Sequence, residues 1–128
     1  MHGPTFMANP LACAAACASI DLLIDQSKES LYPGGWQVTL ETLHLGLTAL
    51  NQLAGHEAVE NVRILGGIGV VEMRNKVDVA KVQAELVKHS VWVRPFACLI
   101  YVMPPYILTK DEIGHLCGSI IEVVNRLY

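Results

Sequence analysis

A single charge lies inside an otherwise apolar stretch, SVWVRPFACLIYVMPPY, at residues 90–106. The apolar residues on either side of this charge are β-branched, aromatic or aliphatic, which predicts two strands, at 91–93 and 99–102. The residues 95–98 predict the reversal that connects these strands. The charge is Arg94. Because it must be accommodated between two buried strands, it constrains the fold more than any other residue.

The guanidinium of Arg94 cannot lose its proton, so burying it without an anionic partner is costly. Two interpretations follow from the residue pattern. In the first, Arg94 pairs with a carboxylate of the same chain or points to solvent. In the second, its two-pronged donor group binds a carboxylate or a phosphate of a ligand. The pattern alone favours neither interpretation.

The composition predicts one domain with one core. A chain of 128 residues is large enough to bury a substantial core. Its residues are 52% hydrophobic and only 16% charged, against a usual charged share of about 25%. A surface this poor in charge is expected to contact other protein. The net charge of −3 and the lack of a Lys/Arg cluster argue against nucleic acid as a partner.

The four cysteines lack the spacing of secreted disulfide proteins and predict a reduced, cytoplasmic protein. Cys13 and Cys17 lie one helical turn apart and could share a metal ion. No further ligand motif follows them, so we interpret them as small buried helix residues and predict no metal. The apolar segment around them has no basic start and is interrupted by Asp21. It therefore predicts neither export nor a membrane span.

Four helices are predicted from caps and apolar spacing. Asn9 followed by Pro10 starts the first helix, which runs to about Lys28. Its small side chains indicate a helix that contacts other protein. Apolar spacing predicts further helices at 36–54 and 76–90. The last helix, to about residue 128, opens with a capping box of Thr109 and Glu112.

The segment 61–73 is rich in β-branched residues and contains Gly66-Gly67. It predicts either two short strands or one long strand with a bulge at the glycines. Together with the helices, this order of elements predicts an α+β fold. We expect a short, mostly antiparallel sheet with helices on one face, preceded by a long connecting helix.

Three blocks of sequence resemble one family in order and approximate spacing. They are HGPTFMANPLA at 2–12, VRILGGIGVVE at 62–72, and the stretch at 90–106. These blocks resemble the C-terminal part of the adenosylmethionine-8-amino-7-oxononanoate aminotransferases, which are class-III, fold-type I enzymes. The resemblance implies pyridoxal phosphate as cofactor, transfer of an amino group from S-adenosylmethionine in biotin biosynthesis, and a homodimer. It also implies residues 1–30 as a cofactor loop with the interdomain helix, and 31–128 as the small C-terminal domain.

The resemblance implies a role for a residue only where this sequence matches a motif of the family. It places Gly3 near the substrate, and Pro4 and Thr5 at the cofactor phosphate across the dimer interface. It assigns the substrate carboxylate to Arg94. The chemistry agrees, since a Thr hydroxyl at a loop-to-helix junction suits a phosphate and a bidentate Arg suits a carboxylate.

Phe96 and Tyr101 match positions that line the substrate pocket in the family. Simple core packing is the alternative for both residues, and we favour it. The sequence departs from the family at Ala97-Cys98, where Gly-Lys is usual, so the turn geometry and a local charge differ. No metal ligands are implied.

The family's Schiff-base lysine, its aspartate at the pyridine nitrogen and its glycine-serine phosphate loop have no match in the sequence. The five lysines fall on predicted helices or their ends. We therefore expect no catalytic residue here, no transaminase activity from this chain alone, and a missing large domain or complementary chain as partner. The expected origin is a truncated product or one half of a split enzyme.

Two other functions stay open. One is a different class-III aminotransferase with another amino donor, although the motifs HGPT and WVRPF argue against it. The other is a non-catalytic α+β module for dimerisation or for binding a small acid, in which Arg94 would bind an effector. The DNA upstream of Met1 would discriminate between an aminotransferase segment and such a module.

Overall fold

The structure is a computed structural model that describes residues 9–24 and 35–128. The expectations at Gly3, Pro4 and Thr5 lie outside these residues. In chain order the elements are α1 (Pro10–Ile24), α2 (Gly35–Leu47), the 3₁₀-helix (Thr48–Leu53), β1 (Val59–Leu65), β2 (Ile68–Met73), α3 (Val79–Lys88), β3 (Leu99–Val102) and α4 (Lys110–Leu127).

The predicted helix starts are confirmed where the signals are local. The Oδ1 of Asn9 accepts hydrogen bonds from the backbone N–H groups of Leu11 at 3.0 Å and Ala12 at 3.2 Å. The capping box of Thr109 and Glu112 opens α4 as predicted. The helix predicted at 76–90 is shorter, because Asp78 caps it by accepting from the N–H of Lys81.

The three strands form an antiparallel sheet in the order β1-β2-β3, which confirms the α+β prediction. The segment 61–73 contains two strands rather than one bulged strand. They are joined at Gly66, whose φ of 55° lies in the left-handed region that glycine adopts at no steric cost. Val71 in the central strand pairs with Val62 on one side and Ile100 on the other.

One hydrophobic core forms between the sheet and the helices. α2 and the 3₁₀-helix contact the sheet, α4 packs on both of them, and α3 packs on α4. The alternating burial of β2 shows that one face of the sheet points into this core. The largest fully buried side chains come from each of these layers: Leu43, Leu47, Leu50, Leu53, Leu86, Ile100, Ile113 and Ile120.

The strand predicted at 91–93 is wrong. These residues belong to no strand, and we infer that they are extended from their burial pattern, with Val91 and Val93 buried and Trp92 and Arg94 exposed. The alternation is that of a strand, but within residues 9–24 and 35–128 no neighbouring strand pairs with them. The second predicted strand, β3, pairs with β2 and is confirmed.

The predicted burial of Cys13 and Cys17 is also wrong, because both side chains are exposed. They lie on α1, which has no buried residue. Among the described elements α1 contacts only α2, so an apolar composition did not produce burial here. The exposed apolar side chains of α1 include Leu11, Ile20 and Ile24.

Candidate functional site

A cleft of about 670 Å³ lies between the extended segment that follows α3, the end of β3 and the beginning of α4. Its walls are mostly apolar, and its arginine, carboxylate and histidine side chains come from two sides. Arg94 belongs to the extended segment, whereas Asp111, Glu112 and His115 belong to α4. The remaining lining residues are Ser90, Val91, Trp92, Val93, Tyr101, Val102, Met103, Pro104, Pro105, Leu108 and Leu116.

Arg94 is exposed on the lining of this cleft. Other arginines of the chain pair with carboxylates: Arg63 with Glu72, Arg74 with Glu60, and Arg126 with Glu85. Arg94 makes no such ion pair within the described part of the chain. Its guanidinium is therefore available to an anion that enters the cleft.

The backbone beyond Arg94 is fixed by a tight turn. Phe96 and Leu99 exchange backbone hydrogen bonds, and the carbonyls of the two residues between them accept from other elements. The Ala97 carbonyl accepts from the N–H of Val77 at 2.9 Å, and the Cys98 carbonyl accepts from the N–H of Met73 at 2.7 Å. These bonds attach the turn to the end of β2 and to the segment that leads into α3.

The two aromatic residues predicted at the pocket lie in different places. Tyr101 lines the cleft and is 40% exposed, whereas Phe96 is 70% exposed and is not part of the cleft lining. Core packing, which we favoured for both, is therefore wrong. Trp92 lines the cleft and is 73% exposed, although sequence reasoning did not single it out as a site residue. The alternation of the extended segment was the signal that could have identified it.

The residues from α4 were also missed by sequence reasoning. They reach the cleft because the capping box fixes the first turn of α4 beside it. Glu112 accepts hydrogen bonds from the backbone N–H and the hydroxyl of Thr109, both at 2.8 Å. These bonds, with the backbone N–H first, hold the pKa of the Glu112 carboxyl below its usual range. Since Glu112 is occupied by the cap, Asp111 is the carboxylate of this turn that lacks a hydrogen-bond partner in the part of the chain described.

Among the residues that the structure describes, no lysine lines the cleft. The lysines of the described residues, Lys76, Lys81, Lys88 and Lys110, are all exposed. Over the same residues, no group of three or more His, Cys, Asp or Glu side chains could hold a metal ion. No described helix is long and apolar enough to cross a membrane. The chemistry that the cleft offers is anion binding by Arg94 beside aromatic and aliphatic walls.

Comparisons with known proteins point to one family. The family described as "Aminotransferase class-III" matches residues 1–124. The adenosylmethionine-8-amino-7-oxononanoate aminotransferase of Corynebacterium glutamicum is 42% identical, and the match covers 98% of this chain and 28% of that protein. The protein of the same name from Saccharomyces cerevisiae is 36% identical, over 98% of this chain and 26% of its own length.

The fold agrees with this result. The crystal structure of the adenosylmethionine-8-amino-7-oxononanoate aminotransferase from Methanocaldococcus jannaschii superposes with a TM-score of 0.67 and 25% identity. The superposition covers 98% of this chain and 30% of that one. The chain thus spans about 28% of the length of the curated relatives that it matches. On the family match and these identities, the chain belongs to the class-III aminotransferase family.

Proposed function

We propose that this chain supplies the substrate-carboxylate site of an aminotransferase that moves an amino group from S-adenosylmethionine to 8-amino-7-oxononanoate. One observation carries the proposal: Arg94 lines the cleft without a carboxylate partner among the described residues. Relatives named for this reaction match 98% of the chain. Arg94 would bind the carboxylate in bidentate fashion, and the apolar walls would contact the aliphatic part of the substrate.

We propose the remaining roles from the family resemblance. Gly3 lies near the substrate, and Pro4 and Thr5 hold the cofactor phosphate across a homodimer interface. Tyr101 and Phe96 border the substrate, Tyr101 from within the cleft and Phe96 from beyond its edge. Residues 1–30 form the cofactor loop and interdomain helix, and 31–128 form the small domain of a cytoplasmic enzyme.

Class-III aminotransferases generally use pyridoxal phosphate, which withdraws electrons from the reacting carbon when it is bound. The described residues do not fit the aldehyde of this cofactor. A lysine that reacts with it must be partly desolvated to be nucleophilic near neutral pH. The four described lysines are exposed and lie outside the cleft lining. We therefore propose that the chain binds and orients the substrate and that the amine comes from a large domain or from a complementary chain.

A chimeric enzyme tests the proposal. Residues 1–128 of this chain would replace the matching segment of the Corynebacterium glutamicum relative. The chimera should transfer an amino group from S-adenosylmethionine to 8-amino-7-oxononanoate. A folded chimera that accepts only a different amino donor would support the second candidate, another class-III aminotransferase. A folded, pyridoxal-phosphate-loaded chimera without transfer from any donor would favour the non-catalytic module.

A further inference from the structure

α3 ends in a compact C-terminal turn, and the segment that contains Arg94 follows it. The N–H of Ser90 donates to the carbonyl of Val87 at 2.9 Å, and the N–H of Val91 donates to the carbonyl of Leu86 at 3.0 Å. Ser90 has a φ of 59°. These are the two hydrogen bonds and the left-handed residue of a Schellman motif. The two positions that commonly make a hydrophobic contact in this motif are Leu86 and Val91, and both are buried.

This motif sets the direction in which Arg94 points. Only two residues separate Val91 from Arg94, and side chains along this segment alternate between buried and exposed. Side chains alternate between two faces along an extended chain. A change in the backbone conformation at Val91 would therefore redirect the side chain of every following residue in the segment. The orientation of Arg94 therefore depends on how firmly the turn at His89 and Ser90 is held.

A side chain from α4 holds that turn. The Nε2 of His115 lies 2.8 Å from the carbonyl oxygen of His89, so the ring donates its Nε2 hydrogen to that carbonyl. The His89 carbonyl follows the last turn of α3, where backbone acceptors lack partners within the helix. His115 also lines the cleft with Arg94. The contact thus connects the cleft wall formed by α4 with the start of the Arg94 segment.

The position of α4, which carries His115, is well fixed. Its start is fixed by the capping box, and its buried face packs into the core. The other polar contacts of the α3 region lie farther along α4 or directly after it: Glu122 with His89 at 3.9 Å, Arg126 with Glu85 at 3.2 Å, and the Tyr128 hydroxyl with the N–H of Asp78 at 3.3 Å.

We propose that His115 is a positioning residue for Arg94. It acts through its hydrogen bond to the His89 carbonyl and does not itself contact the substrate. The inference rests on the proposed function, since the role of Arg94 in carboxylate binding gives the positioning its purpose. Loss of the hydrogen bond should weaken carboxylate binding while the fold is retained.

The test compares three variants of the 128-residue chain. His115→Gln keeps a side-chain donor near the position of Nε2, His115→Leu removes the donor, and Glu122→Gln alters a group that faces the His89 ring instead of its carbonyl. Hexanoate serves as the carboxylate probe and hexan-1-ol as its uncharged control. The measurement is the displacement of the Arg94 Nε–Hε resonance in ¹H-¹⁵N NMR, and thermal unfolding checks that each variant is folded.

We expect His115→Leu to raise the Kd for hexanoate about three- to tenfold, which is the effect of losing one ordinary hydrogen bond. His115→Gln and Glu122→Gln should bind as the wild type does. An unchanged Kd in His115→Leu would overturn the proposal. An equal loss in His115→Leu and His115→Gln would also overturn it, because the imidazole itself would then contact the ligand.

A second readout separates this inference from the proposed function. Amide hydrogen exchange at Ser90 and Val91 reports the Schellman motif without any ligand. It should accelerate in His115→Leu and return to the wild-type rate in His115→Gln. If hexanoate fails to displace the wild-type Arg94 resonance, the proposed function is contradicted, and the exchange rates alone then decide whether His115 holds the turn. Unchanged exchange in His115→Leu would contradict the positioning role.

Discussion

Phe96 and Leu99 exchange backbone hydrogen bonds across a two-residue turn, with N–O distances of 2.9 and 2.8 Å. The first residue inside this turn, Ala97, has a φ of 52°. An L-residue with a side chain is strained in this left-handed region, whereas glycine is not. The turn that follows Arg94 therefore retains a strain that one substitution can remove.

Replacing Ala97 by glycine should stabilise the chain by about 1 kcal/mol. The substitution removes the Cβ that is strained at this φ. Equilibrium urea unfolding measures the change. The matched control is Ala84→Gly, an exposed position in the middle of α3, which should destabilise by about 0.5–1 kcal/mol. A destabilised Ala97→Gly variant would show that the turn is not strained at this residue.

Local signals in the sequence predicted the starts of the first and last helices correctly. Asn9 and the pair Thr109 and Glu112 cap their helices through bonds between residues two or three positions apart, so a short window of sequence contains the whole interaction. The β-branched residues of 61–73 likewise predicted strands. Only the choice between two strands and one bulged strand required the turn at Gly66.

Features that depend on contacts with residues distant in the chain could not be predicted from the sequence. Residues 91–93 have the composition of a strand, but a strand needs a neighbour, and pairing is a tertiary property. Cys13 and Cys17 are small and apolar, yet their burial depends on what covers α1. His115 entered the site for the same reason, since its contact with His89 spans 26 positions and is set by the packing of α4.

The Glu112 carboxylate should contribute pH-dependent stability. Its pKa is lowered in the folded chain by hydrogen bonds from Thr109, so folding favours the ionised form. The contribution is therefore complete above the unfolded pKa and is lost as the pH falls through the folded pKa. The free energy of unfolding of the wild type should exceed that of Glu112→Gln at pH 7, and the difference should shrink below pH 4.5.

Urea unfolding of both proteins across this pH range measures the difference. Glutamine keeps a side-chain oxygen at the cap, so the comparison isolates the charge. The pKa of Glu85 is also lowered, mainly by the hydrogen bond from Lys88. Glu85 is present in both proteins, so its contribution cancels in the difference. A difference that stays constant down to pH 2 would contradict this role of Glu112.

The cysteines should react with iodoacetamide in the order of their exposure. Burial raises the pKa of the Cys117 thiol to about 11, and its Sγ donates weakly to the Gly46 carbonyl. The thiolate is the reactive form. At pH 8, Cys13 and Cys17 should be alkylated first and Cys117 only in urea, as peptide mass spectrometry would show. Rapid labelling of Cys117 in the folded chain would contradict the close packing of α4.

A glycine pair tests how closely α2 and α4 approach. A Cβ at Gly46 would lie 2.6 Å from the Cγ2 of Ile113. Gly46→Ala should therefore destabilise the chain by about 1–3 kcal/mol. Gly114 lies in the same helix as Ile113, but a Cβ added at Gly114 would meet no neighbouring heavy atom within 4 Å. Gly114→Ala should stabilise α4 by up to about 1 kcal/mol. Equal effects in thermal unfolding would contradict the close approach.

The central claim is that Arg94 binds the substrate carboxylate. The most direct test is the KM for 8-amino-7-oxononanoate in the Corynebacterium glutamicum chimera with Arg94→Ala and Arg94→Lys. Removing one member of a buried charge-assisted pair costs about 2 to 5 kcal/mol. If bound substrate buries the pair with Arg94, Arg94→Ala should raise KM roughly 30-fold or more. The KM of Arg94→Lys should lie between those of the wild-type chimera and Arg94→Ala, because lysine keeps the charge but loses the bidentate geometry. A KM that is the same in the wild type and in Arg94→Ala would contradict the account.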